Sequence, residues 1–166
     1  MKQRVLSILV DNTSGVLARV AGLFSRRGYN IDSLTVGETA DPRYSRMTVI
    51  ATGYDQVLEQ ITKQLAKQED VRDIKVLDPE NSVNRELVLI KVRVSPEQRQ
   101  NIITLTHEFG GEIVDVSTRS LIIQLINKHS KLEAFLMLLQ GYEILELART
   151  GMTGLSRGMD DVRYLK

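Results

Sequence analysis

The segment from Asp11 to Leu17 holds the residues best suited to binding a small molecule. It follows an apolar run and precedes apolar residues at helical spacing, so Gly15 should lie at the start of a helix. A helix N-terminus offers N–H groups without intrahelical partners and a positive dipole end, which suits a carboxylate. Gly15 would let a ligand approach the backbone, Asn12 offers an amide donor and acceptor, and Leu17 and Ile31 could shape an apolar pocket. The same pattern also fits an ordinary capped helix, and both interpretations stay open at this point.

Groups suited to catalysis are scarce. Neither His107 nor His129 has a partner at metal-ligand spacing, which favours a solvated or helix-end role for both. Asp160 and Asp161 lie in a segment without core residues, which favours a solvated pair. The sequence has no phosphate-binding glycine loop, no G-x-S-x-G and no cysteine. Paired carboxylates need no local motif, so an enzyme remains conceivable, but the sequence predicts no catalytic residue and no metal ligand.

Composition narrows the class of protein. The hydrophobic fraction of 42% is sufficient for a core, and 22 basic residues against 21 acidic ones argue against a nucleic-acid footprint. Every apolar run is shorter than the roughly 20 residues that span a bilayer. The N-terminal apolar stretch runs straight into Asp11, unlike a signal peptide. These features predict a cytoplasmic protein that binds neither membranes nor nucleic acids.

Residues 1–78 show strand and helix patterns in the order βαββαβ. The apolar phase slips between Ile31 and Leu34, which predicts a β-bulge. Thr13 or Ser14 is the expected N-cap of the first helix, and Gly28 its expected end. Strand-like runs cover residues 4–10, 29–37, 47–51 and 71–77, and helical spacing covers residues 16–24 and 57–65.

The same order repeats over residues 85–148 after a polar linker at 79–84, and residues 149–166 are expected to form a tail. Capping boxes are predicted at Ser95 and at Ser130. The fold class is therefore α+β, with two tandem ferredoxin-like βαββαβ units, each a four-stranded antiparallel sheet with two helices on one face. This fold hosts many functions and does not decide between them.

Particular segments carry a family resemblance. Residues 6–17 (LSILVDNTSGVL) resemble the opening of ACT domains, which sense amino acids. Residues 22–36 (GLFSRRGYNIDSLTV) are similar to the small subunit of acetolactate (acetohydroxyacid) synthase, as is the GLSRG run at 154–158. The likeness covers essentially the whole chain in collinear order, so residues 1–78 are expected to be an ACT domain.

The resemblance implies a regulatory subunit without catalytic residues. Such a subunit pairs with a large catalytic subunit that condenses pyruvate with a second 2-oxo acid in branched-chain amino acid biosynthesis. It raises the activity of that subunit and confers feedback inhibition, usually by valine. Thiamine diphosphate, Mg and FAD would belong to the catalytic subunit, and no cofactor is expected on this chain.

The resemblance also implies a homodimer through the ACT domains, with the effector at the interface. Asn12, Gly15, Val16 and Leu17 would form one wall of the valine site, and Asn30 and Ile31 of the other chain would complete it. The N–H groups of residues 16 and 17 would hold the carboxylate, with polar contacts from both asparagines.

Three other classes of protein match parts of this sequence pattern. An ACT-type sensor that controls a different enzyme would share the first unit but not the GLSRG run. An RNA-recognition module shares the βαββαβ order but needs exposed aromatic residues on its central strands, where this sequence has Met47 to Ile50. A small metabolic enzyme would need an acid–base pair, for which the sequence offers no candidate.

Overall fold

The computed structural model describes residues 1–165, which form two compact units. The first contains residues 1–84 together with residues 152–165, and the second runs from Arg85 to Gly151. Each has helices on one face of a four-stranded antiparallel sheet, so the α+β prediction with two βαββαβ units is confirmed.

Strands of the first unit are arranged in the order β2-β3-β1-β4. The long central strands β1 and β3 pair from Lys2 opposite Gly53 to Asp11 opposite Tyr44. The elements are β1 (Lys2–Asp11), α1 (Val16–Arg26), β2 (Ile31–Glu38), β3 (Tyr44–Gly53), α2 (Asp55–Ala66) and β4 (Val71–Leu77).

The core of the first unit lies between this sheet and its two helices. Alternate residues of β1, namely Leu6, Ile8 and Val10, point toward the helices and are buried there with Phe24. Because successive side chains of a strand point to opposite faces, Ser7 belongs to the helix-free face. The remaining buried contributors include Val20, Met47, Val49, Leu58, Ile61 and Leu65.

Two of the three local predictions in this unit are confirmed. The β2–β3 register shifts between Ile31 and Ser33, where the bulge was expected, and Gly28 follows α1 with φ of 71°. The predicted N-cap is wrong. Gly15, rather than Thr13 or Ser14, occupies that position, because a left-handed backbone with φ of 86° suits glycine.

Strands of the second sheet follow the order β6-β7-β5-β8. Strand β5 begins inside the expected 79–84 linker, and β8 continues past residue 148 into the expected tail. The elements are β5 (Ser82–Arg93), α3 (Pro96–Glu108), β6 (Glu112–Val116), β7 (Ser120–Asn127), α4 (His129–Leu138) and β8 (Glu143–Ser156). The core of the second unit includes Val88, Ile90, Val92, Ile102, Leu121, Ile123, Leu125, Leu132 and Phe135.

The two capping boxes have different outcomes. Ser95 Oγ accepts from Gln98 N–H at 3.3 Å and Gln98 Oε1 accepts from Ser95 N–H at 3.0 Å, which confirms the first box. The second prediction is wrong, because α4 starts at His129 with Lys128 as N-cap, and Ser130 already lies within the helix. In the part of the chain that the structure describes, no helix has the length and apolar character needed to cross a membrane.

Candidate functional site

The N-terminus of α1 is open to a ligand. Its N-cap, Gly15, has no side chain that could accept from the first N–H groups, whereas Ser95 caps α3. Within residues 1–165, the N-cap residues of α2 and α4 likewise make no side-chain cap hydrogen bond. The first N–H groups of a helix have no intrahelical acceptor and can therefore donate to a bound anion. Val16 directs its side chain into the core, whereas the side chain of Leu17, in the first turn of α1, remains 45% exposed. Both Gly15 and Leu17 can therefore contact a small molecule.

Asn12 is fixed by the loop between β2 and β3. Its Nδ2 donates to Glu38 Oε2 at 3.2 Å and to the Pro42 carbonyl at 3.0 Å, and its backbone N–H donates to the Arg43 carbonyl at 2.8 Å. These side-chain bonds occupy both amide hydrogens, so Oδ1 is the atom that Asn12 can offer to a ligand. That oxygen suits an ammonium group.

Arg19 is a residue of this site that the sequence pattern did not single out. Its Nη1 lies 2.9 Å from the point where a Cβ on Gly15 would be, and its Nε is 2.7 Å from Asp70 Oδ2. A guanidinium next to an uncapped helix N-terminus adds a second attraction for a carboxylate. The spacing in the sequence could have indicated Arg19, because it follows Gly15 by one helical turn and the two residues therefore lie on the same side of α1.

Ion pairs hold the surrounding loop in place. Arg72 Nε lies 2.7 Å from Asp11 Oδ1, and the hydrogen bond that Arg72 donates to Asp11 raises the pKa of Arg72 above its usual value. The Asp11 N–H also donates to the Asp70 carbonyl at 2.8 Å. These contacts tie the end of β1 to the start of β4, so the Gly15 turn is positioned by two strands before any ligand binds.

Asn30 and Ile31 lie at the opposite end of the sheet. Ile31 pairs with Ala51, which faces Arg4 on β1, whereas the Gly15 turn follows Asp11. Arg4 and Asp11 are roughly 23 Å apart at about 3.3 Å per strand residue. The structure therefore brings Asn12, Gly15, Val16 and Leu17 together and leaves Asn30 and Ile31 apart. A pocket that used both groups would need a second copy of the chain.

Asn30 and Ile31 are nonetheless ordered by local contacts. Asn30 Nδ2 donates to Asp32 Oδ1 at 3.1 Å, which leaves one amide hydrogen for a ligand. Ile31 is half-buried against the core of the first unit and keeps part of its side chain accessible.

Comparison with known proteins agrees with both halves of this architecture. A family model described as the AHAS small subunit-like ACT domain matches residues 6–73. A second, described as the small subunit of acetolactate synthase, matches residues 85–158. The chain belongs to the acetolactate synthase small-subunit family.

Individual members of the small-subunit family are similar over nearly their whole length. The probable acetolactate synthase small subunit of Methanothermobacter thermautotrophicus is 51% identical over 155 residues, covering 93% of this chain and 92% of that protein. The isozyme 3 small subunit of Escherichia coli is 46% identical over 157 residues, covering 94% and 96%. The crystal structure of the small subunit from Thermotoga maritima superposes with a TM-score of 0.89 at 43% identity, covering 95% and 99%.

The other candidate groups of this small-subunit family member lie elsewhere. His107 is exposed near the end of α3, and His129 is the first residue of α4, with Nδ1 3.4 Å from Glu86 Oε2. Asp161 Oδ1 accepts from Ser156 Oγ at 2.7 Å, and Asp160 is exposed beside it. Among the described residues, no three His, Asp or Glu side chains converge as a metal site would require.

Proposed function

We propose that this chain is the regulatory subunit of acetolactate synthase. It binds the thiamine-diphosphate-dependent catalytic subunit, raises its activity and makes it sensitive to inhibition by valine. The uncapped helix N-terminus at Gly15, with the Arg19 guanidinium beside it, is the observation that carries the effector-binding part of the proposal. Relatives named as acetolactate synthase small subunits support the assignment to this enzyme.

The carboxylate of the effector binds at the start of α1. The N–H groups of Val16 and Leu17 donate to it, and Arg19 adds a charge-assisted hydrogen bond. Asn12 accepts from the effector ammonium through Oδ1, because its two amide hydrogens are engaged by Glu38 and Pro42. A zwitterionic amino acid thus meets donors at one end and an acceptor at the other.

A second copy of the chain completes the pocket. Asn30 of that copy supplies its remaining amide hydrogen, and Ile31 packs against the effector side chain opposite Leu17. A pocket walled by two aliphatic side chains favours a branched aliphatic amino acid such as valine. One methylene in such a pocket gives roughly 10- to 200-fold discrimination, so leucine and isoleucine are expected to act more weakly.

Inhibition follows from the dimer. A ligand that bridges two chains favours the arrangement in which both halves of the site meet, by its differential affinity for that arrangement. A coupling free energy of about 1–3 kcal/mol between the effector site and the catalytic subunit is sufficient for a useful response. The chain itself supplies no step of the condensation.

The test is acetolactate formation from pyruvate by the purified catalytic subunit, with and without this chain, titrated with valine, leucine and isoleucine. We expect the chain to raise the rate and valine to reverse the increase. Absence of both effects would overturn the proposal. Acetolactate formed by this chain alone, without the catalytic subunit, would overturn its non-catalytic role.

Gly15→Asp tests the effector site. The substitution places a carboxylate beside the one that must bind, and its Cβ meets Arg19 Nη1, so valine sensitivity should be lost while activation remains. Gly110→Asp is the matched control, because Gly110 also has a positive φ, at 74°, with open space around it and lies in the second unit. Wild-type inhibition of the Gly15 variant would refute the site.

A further inference from the structure

The last part of β8, from Met152, belongs to the first unit. We call Met152–Arg157 the strap. It lies on the helix-free face of the ACT sheet. Thr35, Thr48, Ser7 and Lys75 are direct neighbours across β2, β3, β1 and β4, and paired residues of a sheet share a face. This row of four polar side chains crosses the whole sheet.

The strap is bonded to the row through its own backbone. Met152 N–H donates to Ser33 Oγ at 3.0 Å, and Thr35 Oγ1 donates to the Met152 carbonyl at 3.2 Å, so two β2 side chains hold one residue. Gly154 N–H then donates to Thr48 Oγ1 on β3 at 3.3 Å. These bonds fix the strap to two neighbouring strands.

Beyond these strands the segment remains attached to the first unit. Arg157 N–H donates to the Asn81 carbonyl at 2.9 Å. Asp161, four residues after the strap, lies 3.7 Å from Lys75 Nζ at the far end of the polar row and accepts from Ser156 Oγ. The C-terminal residues therefore follow the row from β2 to β4.

The strap packs closely against the first unit at Gly154, whereas Thr153, Leu155 and Arg157 are exposed. Thr48 is 1% exposed, and Gly154 is buried against Asn84 and Leu77. A Cβ on Gly154 would overlap Asn84 Oδ1 and lie 3.2 Å from Leu77 Cδ1. A side chain at residue 154 would have to displace either the Asn84 amide or the strap, which gives a physical reason for the first residue of the GLSRG run.

The strap meets the sheet next to one half of the proposed effector site. Strand β2 begins at Ile31 and is an edge strand, with β3 as its neighbour in the sheet. Its register shifts between Ile31 and Ser33, and Ser33 is the residue that holds Met152. An edge strand with an irregular start depends on additional contacts for its position, and the strap supplies them.

We infer that the strap is a positioning element for the effector site, which holds β2 so that Asn30 and Ile31 can reach the amino acid bound by a second chain. The inference rests on the proposed function. Coupling between two sites is reciprocal, so effector binding at Asn30 and Ile31 also stabilises the strap in its position on the sheet. Thr35, Thr48 and Gly154 thus affect valine sensitivity without contacting valine.

Thr48→Val and Thr35→Val test this role. Each removes one hydroxyl at nearly constant volume and so releases one strap contact. Substitutions in a network that couples two sites change the coupling by an amount equivalent to a roughly 2- to 30-fold change in effector concentration. We expect the valine concentration for half-inhibition to rise within that range and the activation without valine to stay unchanged. Thr48→Ser keeps the acceptor and should restore wild-type sensitivity.

Thr62→Val is the matched control. Thr62 Oγ1 donates to the Leu58 carbonyl at 2.9 Å in α2, so this variant loses a comparable bond in the same unit away from the strap. Melting curves of all variants give the stability that each change costs. A shift in half-inhibition that Thr62→Val reproduces, or that simply follows the melting temperature, would overturn the positioning role.

Valine titrations of the variants and of the wild-type chain separate the role of the strap from the regulatory function itself. Unchanged inhibition of both Thr35→Val and Thr48→Val, alongside an insensitive Gly15→Asp, would reject the strap and retain the regulatory subunit. A wild-type chain that confers no valine inhibition would reject both. Gly154→Ala provides a further variant if Thr48→Val fails to fold, and it should raise the half-inhibiting concentration in the same direction.

Discussion

Arg19 Nε lies 2.7 Å from Asp70 Oδ2, which joins the first turn of α1 to the residue that precedes β4. The pair leaves the Arg19 Nη1 atom close to Gly15, where the proposed effector carboxylate binds. Asp70 therefore orients the guanidinium and also competes for its charge. The two residues should affect valine binding in opposite directions.

Arg19→Gln should raise the valine concentration for half-inhibition about tenfold, since a hydrogen bond to a charged group contributes about 1.5 kcal/mol or more. Asp70→Asn should lower it, because the amide oxygen can still accept from Arg19 Nε and orient the guanidinium, while the competing negative charge is removed. The measurement is the valine titration of acetolactate formation with the catalytic subunit. Lys63→Gln on α2 is the control for loss of an exposed cation. Equal titration curves for all three variants would contradict a role for Arg19.

Asp161 should titrate below the usual range of an aspartate. The Ser156 hydroxyl donates to it at 2.7 Å, with a smaller contribution from Lys75, and together they hold the pKa of Asp161 below its ordinary value of 3.8. Because the folded-state pKa is depressed, the contact stabilises the folded chain at pH values above the unfolded-state pKa. This stabilisation is lost as the pH falls through the folded-state pKa. An NMR titration of the carboxyl group should show the low value.

Ser156→Ala provides the check on its cause. We expect this variant to move the Asp161 pKa upward, further than Lys75→Gln does, because the hydroxyl hydrogen bond is the larger influence. An Asp161 pKa that is unchanged in Ser156→Ala would show that the hydroxyl does not hold the carboxylate in solution.

Sequence periodicity was sufficient to predict the order of strands and helices, because each sheet buries one face against its helices. Leu6, Ile8 and Val10 alternate with Ser7 as a half-buried strand requires, and the bulge near Ile31 is visible as a phase slip. The strap was missed because its bonds use the backbone of Met152 and Gly154, which leaves no side-chain pattern to detect.

The site was only partly predictable for a related reason. Gly15 stood out by residue type, and its φ of 86° explains why it displaces Thr13 and Ser14 from the N-cap position. Arg19 was overlooked because its partner, Asp70, is 51 residues away and meets it only when the sheet forms. Local spacing predicts helix starts, whereas charges that converge through tertiary packing require the fold.

Ser95 and Ser130 should respond differently to alanine substitution. Ser95→Ala removes the side chain that accepts from Gln98 N–H, so it should lower the free energy of unfolding by about 1 kcal/mol. Ser130→Ala should change it by less than about 0.5 kcal/mol, because Ser130 lies inside α4. Denaturant unfolding of the two variants makes the comparison. A larger loss from Ser130→Ala would restore the capping box that its sequence suggested.

Arg149 should be the most sensitive charged residue of the second unit. Its Nε lies 2.7 Å from Glu86 Oε1, its Nη2 lies 3.0 Å from Glu133 Oε1, and the hydrogen bond that it donates to Glu86 raises the pKa of Arg149. The Glu86 side chain is only 6% exposed. Arg149→Met would leave this carboxylate with His129 Nδ1, 3.4 Å from Oε2, in place of the guanidinium, and should cost about 2 kcal/mol in the free energy of unfolding.

The double variant Glu86→Gln with Arg149→Met separates the ion pair from simple packing. If the penalty comes from an uncompensated buried carboxylate, removing that charge should recover much of the stability lost in the single variant. Denaturant unfolding of the single and double variants gives the coupling energy directly. Additive losses would mean that the aliphatic part of Arg149, and not its charge, stabilises β8 against α4.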